Sequence, residues 1–130
     1  MSPLEYAKKF SFSENINFVH NNSIKFLKNC DLKFDFIFLD GSHRSYDVYD
    51  ELSFLNKIMD DNCVVLLHDY FPKGKQIWKE SPSITGPYLA LQKLNKNNLN
   101  KIQILPIGSL PWKTKYDSNK TSLALLSSQI

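Results

Sequence analysis

Glycine and cysteine are both scarce in this chain of 130 residues. The first of its four glycines is Gly41, so no Gly-rich turn lies ahead of that position. Two cysteines, Cys30 and Cys63, are too few for a disulfide framework and favour a reducing compartment. Cys63 begins an apolar run and has the character of a small buried hydrophobic residue.

Long hydrophobic runs and a strong charge excess are missing as well. No stretch approaches the roughly 18 apolar residues of a membrane helix, and residues 1–10 lack the apolar core of a signal peptide. Sixteen basic and thirteen acidic residues leave a net charge of +3, with the lysines spread along the chain. This pattern argues against nucleic-acid and membrane partners. We therefore expect a soluble, cytoplasmic protein with a single domain over residues 1–130.

Short apolar runs rich in Ile, Val, Leu and Phe are what the sequence does contain, and they predict β-strands. The runs at 35–39 and 64–67 are apolar at successive positions, which is typical of parallel strands covered on both faces. Five strands are predicted, near 16–19, 35–39, 64–67, 101–106 and 121–127.

Helical spacing of apolar residues appears between these runs and predicts helices at 23–29, 45–59 and 86–95. Ser45 is expected to cap the start of the 45–59 helix. Because strands and helices alternate along the chain, the fold class is α/β, with right-handed crossover connections.

Acidic residues and histidines follow two of the predicted strands. Asp40 comes directly after the 35–39 run, and His68 and Asp69 come directly after the 64–67 run. Ligands of open α/β sheets bind beyond the carboxyl ends of the strands. If the two strands are neighbours, their carboxylates lie roughly 5–10 Å apart.

Two carboxylates at that distance, with His43 and His68 beside them, indicate a site for Mg²⁺, Mn²⁺ or Ca²⁺. Each aspartate alone has a simpler interpretation as a turn former or a helix cap, and Gly41 strengthens that interpretation for Asp40. The repetition on two strands favours the functional interpretation of the pair.

The segments FDFIFLDGSHRSYDVYDEL and DDNCVVLLHDY resemble the middle of class I S-adenosylmethionine-dependent methyltransferases. They are similar to the group whose fourth strand ends in D-G-x-H and whose fifth ends in H-D-Y. That group resembles the metal-dependent O-methyltransferases acting on catechols, sugars and natural products. The resemblance covers residues 4–70 well and the remainder only in the order of elements. It implies a Rossmann-like sheet with an antiparallel last strand, S-adenosylmethionine as cofactor and a small hydroxylated acceptor.

The resemblance also implies a role for the residues at the two strand ends. Asp40 and Asp69 match the metal carboxylates of the metal-dependent branch. His68 stands where that branch often has a further acidic residue, and we count it with them as a metal ligand. His43 lies near the position from which some relatives supply a general base, which would take a proton from the acceptor hydroxyl.

Cofactor binding is where the chain departs from the family. Asn22 and Ser23 match the usual Asp-Ser pair that contacts adenine, so we predict that they bind the cofactor. The family's G-x-G-x-G turn and its ribose-binding acid have no counterpart here, which implies an N-terminally truncated sheet. We therefore expect these 130 residues alone to bind the cofactor poorly.

The strand order of the family, 3-2-1-4-5-7-6, separates the 16–19 run from the 35–39 run by two strands that this sequence lacks. Exposed strand edges invite pairing with another chain. Three outcomes stay open: a fragment that needs its missing part, a closed remnant without cofactor binding, or a homo-oligomer that covers the edge.

The leading hypothesis is thus a methyltransferase-family protein, with O-methyl transfer to a sugar or natural product, inactive or weakly active as this chain. One alternative is a non-catalytic α/β binding or interaction module. Another is a metal-dependent hydrolase using Asp40, His43, His68 and Asp69. The hydrolase is less favoured because His20 is the only other histidine, and nothing is placed to complete a catalytic metal shell.

Overall fold

The protein is described here by a computed structural model over residues 2–11, 13–74, 82–97, 102–106 and 123–128. Among these residues, no helix combines the length and the apolar character that a membrane span requires. The elements in chain order are α1 (Pro3–Lys9), a 3₁₀ turn (Ser13–Asn15), α2 (Ser23–Asn29), β1 (Phe34–Leu39), α3 (Ser45–Ser53), α4 (Leu55–Ile58), β2 (Met59–Leu67), α5 (Gly86–Lys96), β3 (Ile102–Pro106) and β4 (Ala124–Ser128).

The four strands form one mixed sheet in the order β1-β2-β4-β3. β1 and β2 are parallel, whereas β4 runs antiparallel to both β2 and β3. β3 therefore points in the same direction as β1 and β2. The α/β class and the antiparallel last strand are both confirmed. The order matches the last four positions, 4-5-7-6, of the sheet that the resemblance implies.

The run at 16–19, predicted as the first strand, is not a strand. Its backbone pairs with no strand in the described part of the chain, and Ile16, Phe18 and Val19 are exposed. An extended segment becomes a strand only when a neighbour satisfies its N–H and C=O groups. The prediction of a strand at 16–19 was wrong, because no partner strand accompanies this run among the described residues, where β1 is the edge of the sheet.

The core lies on one face of the sheet, beneath α3 and α5. Leu52 of α3 and Leu91 and Leu94 of α5 are fully buried there. Alternate residues of β2 face these helices, as the two-residue repeat of a strand requires. Val65 of β2 and Ala124 of β4 complete the contact between the sheet and the helices.

The opposite face of β1 and β2 is exposed in the part of the chain that the structure describes, which corrects the expectation that both faces of these strands are covered. Phe36 and Phe38 of β1 are 54% and 50% exposed, and Val64 of β2 is exposed beside them. The reason is that α3 and α5 lie on the same side, while α1 packs on the 3₁₀ turn and α2 packs on α3.

The predicted 45–59 helix is interrupted. The N–H of Phe54 donates to the carbonyl of Glu51, three residues back, and this tight turn separates α3 from α4. Met59 already belongs to β2, because it pairs with Phe34 of β1. Ser45 is the first helical residue and not the cap; the cap position is Arg44, whose side chain makes no capping hydrogen bond.

Candidate functional site

The register of β1 and β2 places the candidate site. Leu39 pairs with Leu67, so the residues that follow, Asp40 and His68, are neighbours at the carboxyl edge of the sheet. The N–H of His68 donates to the carbonyl of Leu39 at 2.9 Å, which extends the ladder by one residue. The prediction that Asp40 and Asp69 share one sheet edge is confirmed.

Asp69 is the centre of a network of short contacts. Nε2 of His43 donates to Oδ2 of Asp69 at 2.5 Å. Nδ1 of His68 lies 3.3 Å from the other Asp69 oxygen and 3.2 Å from Oδ1 of Asp40. Asp69 is buried, whereas Asp40 and His43 are exposed. One buried carboxylate therefore contacts both imidazoles, and the site opens to solvent on the Asp40 side.

The backbone of Asp69 has a φ of 55°, in the left-handed region. Few residue types other than glycine adopt this conformation readily, and aspartate is one of them. Residues held in such conformations are concentrated at functional sites. The end of β2 thus turns sharply at the residue whose carboxylate contacts both histidines.

Two hydrogen bonds connect the turn that carries His43 to the first turn of α3. Oγ of Ser42 donates to Oδ2 of Asp47 at 2.6 Å, and Nε of Arg44 donates to the same oxygen at 2.8 Å. The Ser42 hydrogen bond is the largest cause that lowers the pKa of Asp47, and the Arg44 guanidinium adds to it. Asp47 therefore remains ionised and holds residues on both sides of His43.

The first residue of α5 packs closely against the backbone of the same turn. A Cβ on Gly86 would lie 1.9 Å from the carbonyl oxygen of His43 and 2.9 Å from the nitrogen of Ser45. Only glycine permits this approach of two backbones. The Gly86-Pro87 pair was interpreted from the sequence only as a helix start, because the contact joins segments about forty residues apart in the chain.

Glu51 is a second residue that the sequence analysis missed. It lies on α3, is only 6% exposed and lines the same cavity as the four residues at the strand ends. The pattern held a signal for it, since Glu51 follows Val48 by three residues and so shares the buried face of the helix. The cavity measures about 10 Å³, which is about the space of one water molecule.

The donor set fits a small divalent cation. One ligand atom each from Asp40, His43 and Asp69 lies within 4.8 Å of the others, and this is the group that the described residues bring together. Carboxylate oxygens with a nitrogen donor suit Mg²⁺ or Mn²⁺. His43 thus lies beside the two predicted carboxylates, where a base is expected, while the assignment of His68 as a ligand stays a prediction.

Asn22 and Ser23 are not brought to this cavity. Asn22 caps α2, with its Oδ1 accepting a hydrogen bond from the N–H of Lys25 at 3.1 Å, and Ser23 begins the helix. Capping alone accounts for an asparagine at this position. Their role toward adenine stays a prediction.

Comparison with known proteins supplies the family. Residues 2–70 match the sequence profile of a family described as a methyltransferase domain. The match covers more than half of the chain and ends just after Asp69, so both strand-end motifs lie within it. A search of curated proteins finds no match to the chain. The chain belongs to the class I methyltransferases, a family whose methyl donor is in general S-adenosylmethionine.

Proposed function

We propose that this protein serves O-methyl transfer from S-adenosylmethionine to a small hydroxylated acceptor, such as a sugar or a natural product. The observation that carries the proposal is the convergence of His43, Asp40 and Asp69 at the carboxyl edge of β1 and β2. A hydroxyl is a poor nucleophile until its proton is removed. A base beside a cation site is the arrangement that activates it.

His43 is the proposed general base. Its side chain is about half exposed and can meet an acceptor from solvent, whereas Asp69 behind it is buried. The short contact with Asp69 fixes the ring and stabilises the imidazolium formed when the acceptor proton arrives, as the acid of a catalytic triad does. Asp47 and Gly86 act on His43 only through the backbone turn and are positioning residues.

Asp40 and Asp69 are the proposed carboxylate ligands of a divalent cation, with His68 between them. When bound, such a cation lowers the pKa of the acceptor hydroxyl and orients its oxygen. The proposal is supported by the proximity of the two carboxylates, which each offer an oxygen within 4.8 Å of the other, and by a cavity that leaves space for an ion. The adenine end of the cofactor would lie at Asn22 and Ser23, where α2 begins.

Titration calorimetry with MnCl₂ and with S-adenosylmethionine, each in the presence and absence of the other, tests the proposal. We expect saturable Mn²⁺ binding that Asp40→Asn weakens and Asp69→Asn abolishes, and cofactor binding that is weak but stronger when Mn²⁺ is present. Mn²⁺ binding with no response to the cofactor at any concentration would favour the hydrolase hypothesis. No response to either would favour a non-catalytic module.

Transfer of a labelled methyl group to catechol and to free sugars tests the acceptor class. Because cofactor binding by these residues is weak, the assay uses millimolar S-adenosylmethionine and we expect only slow transfer. The labelled product should form on a hydroxyl oxygen, and His43→Gln should reduce its rate by a factor typical of a lost general base (about 10²–10⁴). Lys33→Gln, an exposed change near the opposite end of β1, is the control. Product formed on nitrogen or carbon would contradict O-methyl transfer.

A further inference from the structure

We infer that Glu51 is the third carboxylate of the cation site, supplied by α3 and not by a strand end. The inference rests on the proposed function, because it concerns the same cation. Its starting point is a buried acid for which the fold gives no structural reason. Among the described residues, no hydrogen bond or ion pair to the Glu51 side chain is found, and neither of its oxygens is at once fully buried and unsatisfied, so the carboxylate keeps some contact with the cavity.

Glu51 is only 6% exposed, so its carboxylate keeps little contact with water. Removing most of the hydration of a charged group without supplying a partner is unfavourable. Val48 and Leu52 on the same face of α3 show that an apolar residue would fit the pattern of burial. A glutamate at that position therefore indicates a ligand for its charge.

The carboxylate points to the cavity beneath the strand ends. Oε1 of Glu51 lies 3.5 Å from where a Cβ of Gly41 would stand, so it sits directly under the turn between Asp40 and His43. It lines the cavity together with Asp40 and Asp69. The residues whose ligand atoms lie within 4.8 Å of one another are Asp40, His43 and Asp69, and Glu51 is not among them. Glu51 therefore acts as an outer-shell carboxylate, which does not itself contact the cation.

Charge balance supports the same conclusion. The cavity is lined by three carboxylates and two imidazoles, and by no lysine or arginine among the described residues. Arg44, the nearest basic residue along the chain, is exposed and paired with Asp47. A divalent cation is the species that would compensate this excess of negative charge.

The strand ends carry fewer carboxylates than the whole cavity does. They supply two carboxylates, Asp40 and Asp69, and Nδ1 of His68 lies between them. Glu51 adds a third carboxylate from α3, behind these groups. The prediction is that cation affinity depends on Glu51 even though it lies outside both strand-end motifs.

The test compares Glu51→Gln with Asp50→Asn by Mn²⁺ titration calorimetry and by thermal unfolding with and without Mn²⁺. Both substitutions remove one negative charge from α3, but Asp50 is exposed. We expect Glu51→Gln to weaken Mn²⁺ binding about 10–100-fold, as loss of an outer-shell partner does, and Asp50→Asn to change it less than twofold. The metal-free Glu51→Gln protein should unfold at a higher temperature, and Mn²⁺ should raise that temperature less than in wild type.

The outcomes separate this inference from the proposed function. If wild type binds no Mn²⁺, the cation part of both proposals is overturned. If wild type binds Mn²⁺ and Glu51→Gln binds it equally well, only the role of Glu51 is overturned. A Glu51→Gln protein that is less stable without metal, yet has unchanged Mn²⁺ affinity, would show that Glu51 is a structural residue.

Discussion

Asp69 meets two requirements that usually belong to different residues. Its backbone adopts a left-handed conformation, and its carboxylate contacts His43 and His68 from a buried position. Glycine would satisfy the first requirement and any buried acid the second. Aspartate and asparagine are the residue types that combine a short polar side chain with tolerance of that backbone.

Two substitutions of Asp69 separate the effect of its charge on cation binding from the effect of its backbone conformation on stability. Asp69→Asn should abolish measurable Mn²⁺ binding while changing the free energy of unfolding little. Asp69→Ala should lose the same binding and also destabilise the fold by a further ~1–2 kcal/mol, because alanine is strained at positive φ. Urea unfolding combined with Mn²⁺ titration measures both quantities. Equal stability of the two variants would contradict the strain argument.

The ionisation of Tyr70, the next residue, should make the free energy of unfolding depend on pH in the alkaline range. Burial raises the pKa of the Tyr70 phenol, and the neighbouring Tyr88 adds to the effect. The folded protein therefore holds the phenol proton more tightly than the unfolded chain. The stabilisation is complete below the unfolded pKa and is lost as pH rises above about 10, at no more than ~1.4 kcal/mol per pH unit.

Urea unfolding at pH 8 to 11 measures this fall in the free energy of unfolding. Tyr70→Phe should make the fall shallower, and the exposed Tyr46→Phe should leave it unchanged. Burial also raises the pKa of the Cys63 thiol, so part of the fall should begin near pH 9 and persist in both variants. A Tyr70→Phe profile identical to that of wild type would be evidence against the assignment.

At the scale of elements, α5 supports a site to which it contributes no side chain. Its first residue, Gly86, lies against the backbone of His43 and Ser45. Alanine is the better helix former by about 1 kcal/mol, so Gly86→Ala would stabilise the helix if the contact did not exist. A loss of stability in Gly86→Ala would therefore show that the close contact between the two backbones is real.

We expect Gly86→Ala to destabilise the protein by about 1–3 kcal/mol, the usual cost of overpacking, and to weaken Mn²⁺ binding because the turn carrying His43 must move. Leu89→Ala, at an exposed position of the same helix, is the control and should leave Mn²⁺ affinity unchanged. Thermal unfolding and Mn²⁺ calorimetry of both variants are the measurements. Wild-type values for Gly86→Ala would show that the two backbones can separate freely.

The elements that the sequence predicted correctly depend on local patterns. α2 has the predicted bounds of 23–29, and β1 and β2 end at Leu39 and Leu67 as expected. Because the carboxyl ends of parallel neighbours meet at one edge, the convergence of Asp40 and Asp69 followed from those ends. The strand at 16–19 failed because pairing depends on a partner elsewhere in the chain. Gly86 was missed for the same reason, since its contact with His43 is not local. The spacing from Val48 indicated that Glu51 is buried, but its place beside the strand ends depends on the fold.

For the whole molecule, the exposed face of β1 and β2 and the edge position of β1 among the described strands bear on self-association. Phe36 and Phe38 present aromatic surface to solvent at the edge strand. A flat apolar edge is a template for pairing with another chain. The homo-oligomer expected from the sequence therefore stays a prediction, in which the β1 edges of two copies meet.

Sedimentation velocity over a range of protein concentrations tests it. Wild type should show concentration-dependent association, and Phe36→Thr should reduce it while changing the free energy of unfolding by less than ~0.5 kcal/mol, as for other exposed sites. Tyr6→Ser, at an exposed aromatic of α1, is the matched control and should associate as wild type does. A wild type that stays monomeric at all concentrations would exclude pairing through β1.

Cofactor affinity is the remaining property of the whole molecule. The chain has no glycine ahead of Gly41, and the cavity at the strand ends holds about one water molecule. Of the cofactor motifs that the resemblance implies, only the adenine-side pair has a counterpart in this sequence, at Asn22 and Ser23. Losing most polar contacts to the cofactor costs several kcal/mol, at about tenfold in affinity for each 1.4 kcal/mol. We therefore expect millimolar or weaker S-adenosylmethionine binding by these 130 residues.

Asn22→Asp tests the adenine role of this position by a change that should strengthen cofactor binding. It restores the acidic residue found in the family and keeps the cap of α2, because aspartate and asparagine cap helices equally well. The variant should bind S-adenosylmethionine several-fold more tightly than wild type, with unchanged thermal stability. Asn21→Asp, one residue earlier and exposed, is the control for added charge. Micromolar affinity in wild type would overturn the expectation of weak binding, and equal effects of the two substitutions would remove the adenine role from Asn22.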